Sequence, residues 1–246
     1  RAYQPATADC AFALAPLKIV VAGEEYADDA FLDVATLNHR VAAEPSASGS
    51  SCPSAGEWAE LFRLADNVIA ITISANLSGS FEAAQMGRNL VMDEYARDHD
   101  GQIAGKNIFV LDSKAAGGKL ELIVQLLDRY LTNNPDATFD QAVSYAEQLQ
   151  ASSQVLFSLS SYENLTKNGR MPKVVGALAS GLSIRMLGTA SAQGTIKVVA
   201  PTRGDKKTYR KIIETMRADG YRGGMVYIDH VFNEDGASAL KDAIVT

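Results

Sequence analysis

Two short runs rich in β-branched residues, Val68 to Ile73 and Asn107 to Leu111, constrain this chain more than any other feature. Apolar runs of this length without polar alternation suit strands buried on both faces, as in parallel sheets covered by helices. The segment between them reads as a helix opening at Ser78. It runs through Phe81, Ala84, Leu90 and Val91 toward Tyr95, with Glu82 in the first turn, where a carboxylate suits the helix dipole. Gly101 and Gly105 mark its exit. Leu120, Ile123, Val124, Leu127 and Leu131 share one helical face and predict a second helix ending before Pro135. Thr138 and Gln141 form a capping box for a third, with Phe139, Ala142, Val143, Ala146 and Leu149 on its apolar side. Val155 to Leu159 returns as a strand.

This order predicts an α/β fold: an N-terminal domain over residues 1–153, built on an open, mostly parallel sheet with helices on both faces. The last third of the chain changes character. Ser183 to Leu187 and Thr195 to Ala200 read as strands joined across a turn at Gly194. Lys206 to Arg217 reads as a helix with Tyr209, Ile212, Ile213 and Met216 inside, and Met225 to Asp229 as a strand leading to His230. With a closing helix over Glu234 to Ile244, residues 154–246 are expected to form a second, smaller α+β domain with a mixed sheet. Ala42 to Gly56, rich in Ala, Ser, Gly and Pro, reads as a loop.

Composition removes several classes of function. Of 246 residues, 47% are hydrophobic and 21% charged, which supports a packed core rather than disorder. Basic residues number 23 against 29 acidic ones, a formal charge of -6 that opposes a polyanion, so no nucleic-acid partner is expected. No run reaches the ~18 to 20 apolar residues of a membrane span, and Arg1 to Pro16 lacks the pattern of a signal peptide. Cys10 and Cys52 are far apart and outside any CxxC spacing, so a disulfide framework is not indicated and a reducing cytoplasm is the expected location. His39, His99 and His230 are scattered, which argues against a metal cage, and no phosphate-loop, dinucleotide or nucleophile-elbow motif is present. Neither a metal nor a cofactor is expected.

One segment stands out chemically. Ile73-Ser74-Ala75-Asn76-Leu77-Ser78-Gly79-Ser80 follows a buried strand and precedes a helix. Ligands of open parallel sheets gather beyond the carboxyl ends of strands, and a helix start offers N–H groups to an anion. The same residues also read as an ordinary N-cap at Ser78, worth about 1 kcal/mol. His230, after its predicted strand, has a comparable address and reads either as a donor to a ligand oxygen or as an exposed imidazole. Arg170 falls on a turn, where most arginines are solvated.

Taken together, Ser50-Ser51-Cys52-Pro53-Ser54, Thr72 to Phe81, Asp112-Ser113, Leu165 to Met171 and His230 resemble the DegV family, in order and spacing from about Pro16 onward. The resemblance implies a two-domain α/β protein that is a carrier rather than an enzyme, holding a long-chain fatty acid between its domains. It further implies a partner, a separate bacterial fatty acid kinase that phosphorylates the bound acid, together with transient contact to a membrane surface but no span. Carried over by position, Ser50 takes the place of a threonine hydroxyl on the fatty-acid carboxylate. Ser78 and the N–H of Gly79 or Ser80 meet the same carboxylate, His230 completes the contacts, and Arg170 orients His230 or faces the kinase. Cys52 stands where the family often has a glutamine. The family's opening strand has no counterpart in Arg1 to Ala15, and members continue beyond the helix near Ile244, so both ends of the chain are expected to be incomplete.

Two other classes compete. A serine hydrolase or acyltransferase would use Ser78 or Ser80 with His230 and Asp229. A binder of a phosphorylated metabolite would use the same helix start with a short polar cleft instead of an apolar cavity.

Overall fold

The computed structural model describes residues 3–6, 10–171 and 184–245. Pro172, next to the Arg170 turn, and Ser183, the expected start of a strand, lie outside the described residues.

Asn67 to Thr72 and Asn107 to Asp112 form β4 and β5, paired in parallel with Asn67 opposite Asn107 and Thr72 opposite Asp112. Their alternate side chains feed two separate cores. Val68, Ala70, Ile108 and Val110 pack with Trp58 and Phe62 of α2 (Ala55–Phe62) and with Ala84 and Val91 of α3 (Ser80–Asp98). Ile69, Ile71, Phe109 and Leu111 pack instead with Ile123 and Leu127 of α4 (Gly118–Asn133) and with Ala142, Ala146 and Leu149 of α5 (Phe139–Ser152). Helices therefore cover both faces of the parallel pair, which is why neither strand shows polar alternation. The capping box at the start of α5 is realised: Thr138 N–H donates to Gln141 Oε1 at 2.8 Å, and Gln141 N–H to Thr138 Oγ1 at 3.3 Å.

Ahead of this pair lies an antiparallel sheet that the sequence pattern does not announce. Strand β1 (Lys18–Val21) is central, flanked by β2 (Glu24–Ala27) and β3 (Gly49–Ser51). Ala22 and Gly23, at φ 50° and 84°, close a tight hairpin between β1 and β2. The helix α1 (Val34–Ala43) opens on Asp33, whose carboxylate accepts the Thr36 N–H at 3.1 Å. The expected Ala42 to Gly56 loop thus contains the end of α1, all of β3 and the start of α2. A buried lysine, Lys106, donates to the carbonyls of Phe62 (2.8 Å) and Ala65, tying the end of α2 to the entry of β5; burial pushes its pKa down.

By contact the chain divides into two compact units, residues 1–113 with 123–152 and residues 114–122 with 153–246. In the second, β6 (Leu156–Ser158), β7 (Ile184–Ala190) and β8 (Ile196–Arg203) form a sheet in that order, antiparallel throughout. Among the described strands this differs from the expected mixed sheet. Ser191 to Thr195 forms a tight connection, with the Ser191 N–H bonded to the Thr195 carbonyl at 2.8 Å, and so short a link reverses the chain rather than crossing over. Tyr162, Met171 and Met186 form the core there, before and after α6 (Glu163–Lys167), and helices α7 (Asp205–Ala218) and α8 (Glu234–Val245) follow. The expected strand over Met225 to Asp229 is not assigned as a strand and joins no sheet among the described residues. It follows Gly223 and Gly224 at φ 120° and 122°, and no described strand pairs with it. Among the described residues no helix is long and apolar enough to cross a membrane.

Candidate functional site

The end of β4 is held by its neighbour. Thr72 Oγ1 donates to the Leu111 carbonyl at 3.3 Å, the Ser113 N–H donates to the Thr72 carbonyl at 3.2 Å, and Asp112 Oδ1 accepts the Ala75 N–H at 3.3 Å. The chain then turns about the fully buried Ser74. Its carbonyl accepts the N–H groups of Leu77 (2.9 Å) and Ser78 (3.0 Å), and its hydroxyl accepts that of Asn76 (3.3 Å). This winding moves the helix start by two residues from its expected place. Gly79, at φ -70° and ψ 4°, is the N-cap, so α3 begins at Ser80 rather than Ser78. The Ser78 hydroxyl accepts the Ser80 N–H at 3.2 Å, which leaves its own hydrogen to donate outward. Ser78 is half-buried, Gly79 exposed and Ser80 buried.

Strand β3 leads the chain to the same turn through Cys52. Ser50 is exposed opposite Ile19 of β1, and two residues later the Cys52 sulfur lies 3.3 Å from where a Cβ on Gly79 would stand. Glycine at the N-cap is what admits this approach. Pro53 is fully buried behind it, and Ser54 caps α2 through a reciprocal box with Glu57. Glu57 Oε2 accepts the Ser54 N–H at 2.7 Å, Ser54 Oγ accepts the Glu57 N–H at 3.2 Å, and Lys18 Nζ lies 2.9 Å from Glu57 Oε1. The Ser54 backbone N–H, then the lysine, lower the Glu57 pKa from 4.5 to about 2.

A folded-state pKa below the unfolded one adds stability above the ordinary carboxylate range. That contribution is lost as pH falls from about 4.5 through about 2. Solvent screens this exposed pair, so the effect is modest. In thermal melts, Ser54→Ala is expected to cost about 1 kcal/mol at neutral pH. Glu57→Gln should flatten the part of the acid dependence between pH 5 and 2; an unchanged acid limb would show that the box does not anchor α2.

Arg170 and His230 belong to the second unit. The Arg170 turn follows α6, with the Arg170 N–H on the Leu165 carbonyl at 2.9 Å and its guanidinium donating to the Asn168 carbonyl at 2.6 Å. His230 is exposed, and its Nδ1 accepts the Asn233 N–H at 3.4 Å. A hydrolase triad needs the reverse arrangement, Nδ1–H donating to a carboxylate such as Asp229. Here that nitrogen faces a backbone donor instead. No group of His, Cys, Asp and Glu suited to a metal ion occurs among the described residues. In the sequence, Asp112 stands out only as part of a motif. Its part as anchor of the serine loop is signalled by a carboxylate at the carboxyl end of a buried strand, level with the turn it holds.

A family model described as "Uncharacterised protein, DegV family" matches residues 6–245. The chain belongs to the DegV family. A DegV domain-containing protein of Streptococcus gordonii is 34% identical over 236 residues, 96% of this chain and 80% of that protein. A DegV structure from Eubacterium eligens, loaded with heptadecanoic acid, is similar with a TM-score of 0.88 at 30% identity, covering 98% of this chain and 84% of that one. The Streptococcus pneumoniae Fatty Acid Kinase B3 protein, loaded with linoleic acid, has a TM-score of 0.86 at 33% identity, over 94% of this chain and 78% of that one. These two solved structures thus carry different fatty acids, and one of them is named as a fatty acid kinase protein.

Proposed function

We propose that this protein binds a long-chain fatty acid and presents its carboxylate to a partner fatty acid kinase, which transfers a phosphoryl group to it and forms an acyl phosphate. The protein itself carries no catalytic step. The observation that supports this reading is the approach of the Cys52 turn to Gly79. It brings the turn that follows Ser50 up to the N-cap that follows Ser78, which supports reading the two serines and the first amides of α3 as one group of donors. Hydroxyls and helix N–H groups are the donors a carboxylate needs, and the helix dipole supplies partial positive charge without a lysine. That matters in a chain with a formal charge of -6, where the overall field repels an anionic ligand. Ser50, Ser78, Gly79 and Ser80 are read as the head-group contacts. His230 is added to them, and Arg170 to the kinase-facing or supporting groups, on the family resemblance.

Recombinant protein handled without delipidation should release fatty acid in denaturing mass spectrometry. Ser78→Ala should lower palmitate affinity by roughly tenfold, the value of one charge-assisted hydrogen bond. A preparation that is folded, free of lipid and unable to take up palmitate would overturn the reading.

A further inference from the structure

On the face of the parallel pair opposite α2 and α3, helices α4 and α5 frame an open groove of about 370 Å³ that the fatty-acid reading does not use. Tyr130 of α4 and Tyr145 of α5 form its wall. Their rings stack with centroids 4.2 Å apart at 19°, and both are partly buried against the core around Ile123 and Leu127. Asp140, Gln141, Ser144 and Gln148 supply the polar side. The walls are fixed before a ligand arrives. Gln141 Oε1 accepts the Thr138 N–H in the cap of α5, and at the end of α4 Asn134 Nδ2 donates to the Tyr130 carbonyl at 2.8 Å. Asp140, Ser144 and Gln148 stand at i, i+4 and i+8, a single stripe along α5 about 12 Å long. Glu147, at i+7, falls on the same stripe, so a carboxylate marks each end.

The lining selects the sign of its ligand. Carboxylate, hydroxyl, phenol and amide oxygens all accept hydrogen bonds, and none of the six lining side chains is cationic. The compact unit that holds the groove carries 20 of the 29 acidic residues and 8 of the 23 basic ones, a field that draws cations toward it. No ion pair among the described residues engages Asp140 or Glu147. Aromatic rings accept ammonium groups and their methylene stems.

We propose that this groove binds a linear aliphatic polyamine of spermidine length. One terminal ammonium meets Asp140, the other meets Glu147, and the methylene stem lies along the Tyr130 and Tyr145 wall, with Ser144 Oγ and Gln148 Oε1 as acceptors for the inner amine. A divalent metal ion is the poorer occupant, because it needs several oxygens around one point and these carboxylates are spread over two turns of helix. The site is independent of the serine turn, and the inference does not rest on the fatty-acid reading.

The test is calorimetric titration of the full chain with spermidine at physiological ionic strength. Putrescine, too short to reach both carboxylates, and magnesium, a charge without a stem, are the comparisons. One equivalent of spermidine should bind, with putrescine and magnesium each about tenfold weaker or more. Asp140→Asn and Glu147→Gln should each weaken spermidine about fivefold, and Tyr145→Leu about tenfold, with palmitate uptake unchanged. If Tyr145→Leu fails to fold by circular dichroism, the two carboxylate variants, both exposed on α5, decide alone. Magnesium binding as tightly as spermidine would reduce the groove to diffuse charge attraction and overturn the inference. So would an absence of spermidine binding, an affinity unmoved by Asp140→Asn, or saturable uptake of a neutral oligosaccharide such as maltotriose in place of the amine.

Discussion

Gly87→Ala is expected to lower the stability of the protein by about 2 kcal/mol and to weaken fatty-acid binding at the same time. Gly87 lies on α3, where the helix crosses α2 so closely that a Cβ would stand 2.7 Å from the Ala55 carbonyl, 2.8 Å from Trp58 Cβ and 3.1 Å from Ala59 N. Two of these three atoms are backbone, so the collision is relieved only by moving one helix. Alanine is the better helix former by roughly 0.5–1 kcal/mol, which offsets part of the strain but not all of it. At this chain size a loss of about 2 kcal/mol lowers the melting temperature by roughly 4–8 °C.

The effect on the ligand follows from where the two helices begin. Helix α2 starts just after Cys52 and Pro53, and α3 just after Gly79. Separating the helices at Gly87 therefore pulls at the Cys52 approach to Gly79, next to the proposed head-group contacts. Trp58 and Phe62, with ring centroids 5.6 Å apart on α2, would lose packing against Ala84 and Val91 in the same movement. A melt unchanged by the substitution would mean that the crossing is looser than the geometry states. A lowered melt with full palmitate affinity would mean that ligand binding does not depend on the crossing.

The elements legible in the sequence were those whose burial leaves a periodic trace. Strands β4 and β5 are buried on both faces, so their side chains are apolar regardless of direction, and α4 and α5 show the spacing of a single buried face. Strands β1, β2 and β3 are three or four residues long, and β2 and β3 are mostly exposed, too short for a period of two to emerge. The apolar run Met225 to Asp229 misleads for the opposite reason. Its composition suits a strand, but pairing is a property of a neighbour, and no described strand lies beside it. At the site, the serines were visible because a Ser and Gly turn between strand and helix is a local pattern. The shift of the N-cap from Ser78 to Gly79 was not, because it depends on Ser74 drawing two N–H groups onto one carbonyl. Nor was the meeting of Cys52 with Gly79, a contact between residues separated by a whole helix and strand, α2 and β4. The resemblance to a family implied a shared carboxylate for Ser50 and Ser78, where periodicity had nothing to say.

Chain length should govern affinity more strongly than any head-group substitution. Each buried methylene contributes about 0.8 kcal/mol, so the eight or so methylenes separating palmitate from octanoate amount to roughly 6 kcal/mol, or ~10⁴-fold in the dissociation constant. Ordering the longer chain takes back part of this, leaving about three orders of magnitude. On the proposed reading the carboxylate contacts are common to both acids, so Ser78→Ala should weaken palmitate and octanoate by the same factor, because head and tail are too far apart to couple. Titration of the delipidated protein with a series of saturated acids gives both numbers. A steep rise in affinity with length, parallel in the parent and in Ser78→Ala, is the behaviour of a carrier that holds its ligand by the tail and aims it by the head. Equal affinity for octanoate and palmitate, together with competition by a small phosphate ester, would instead assign the start of α3 to a phosphorylated metabolite, since a polar cleft gains nothing from further methylenes.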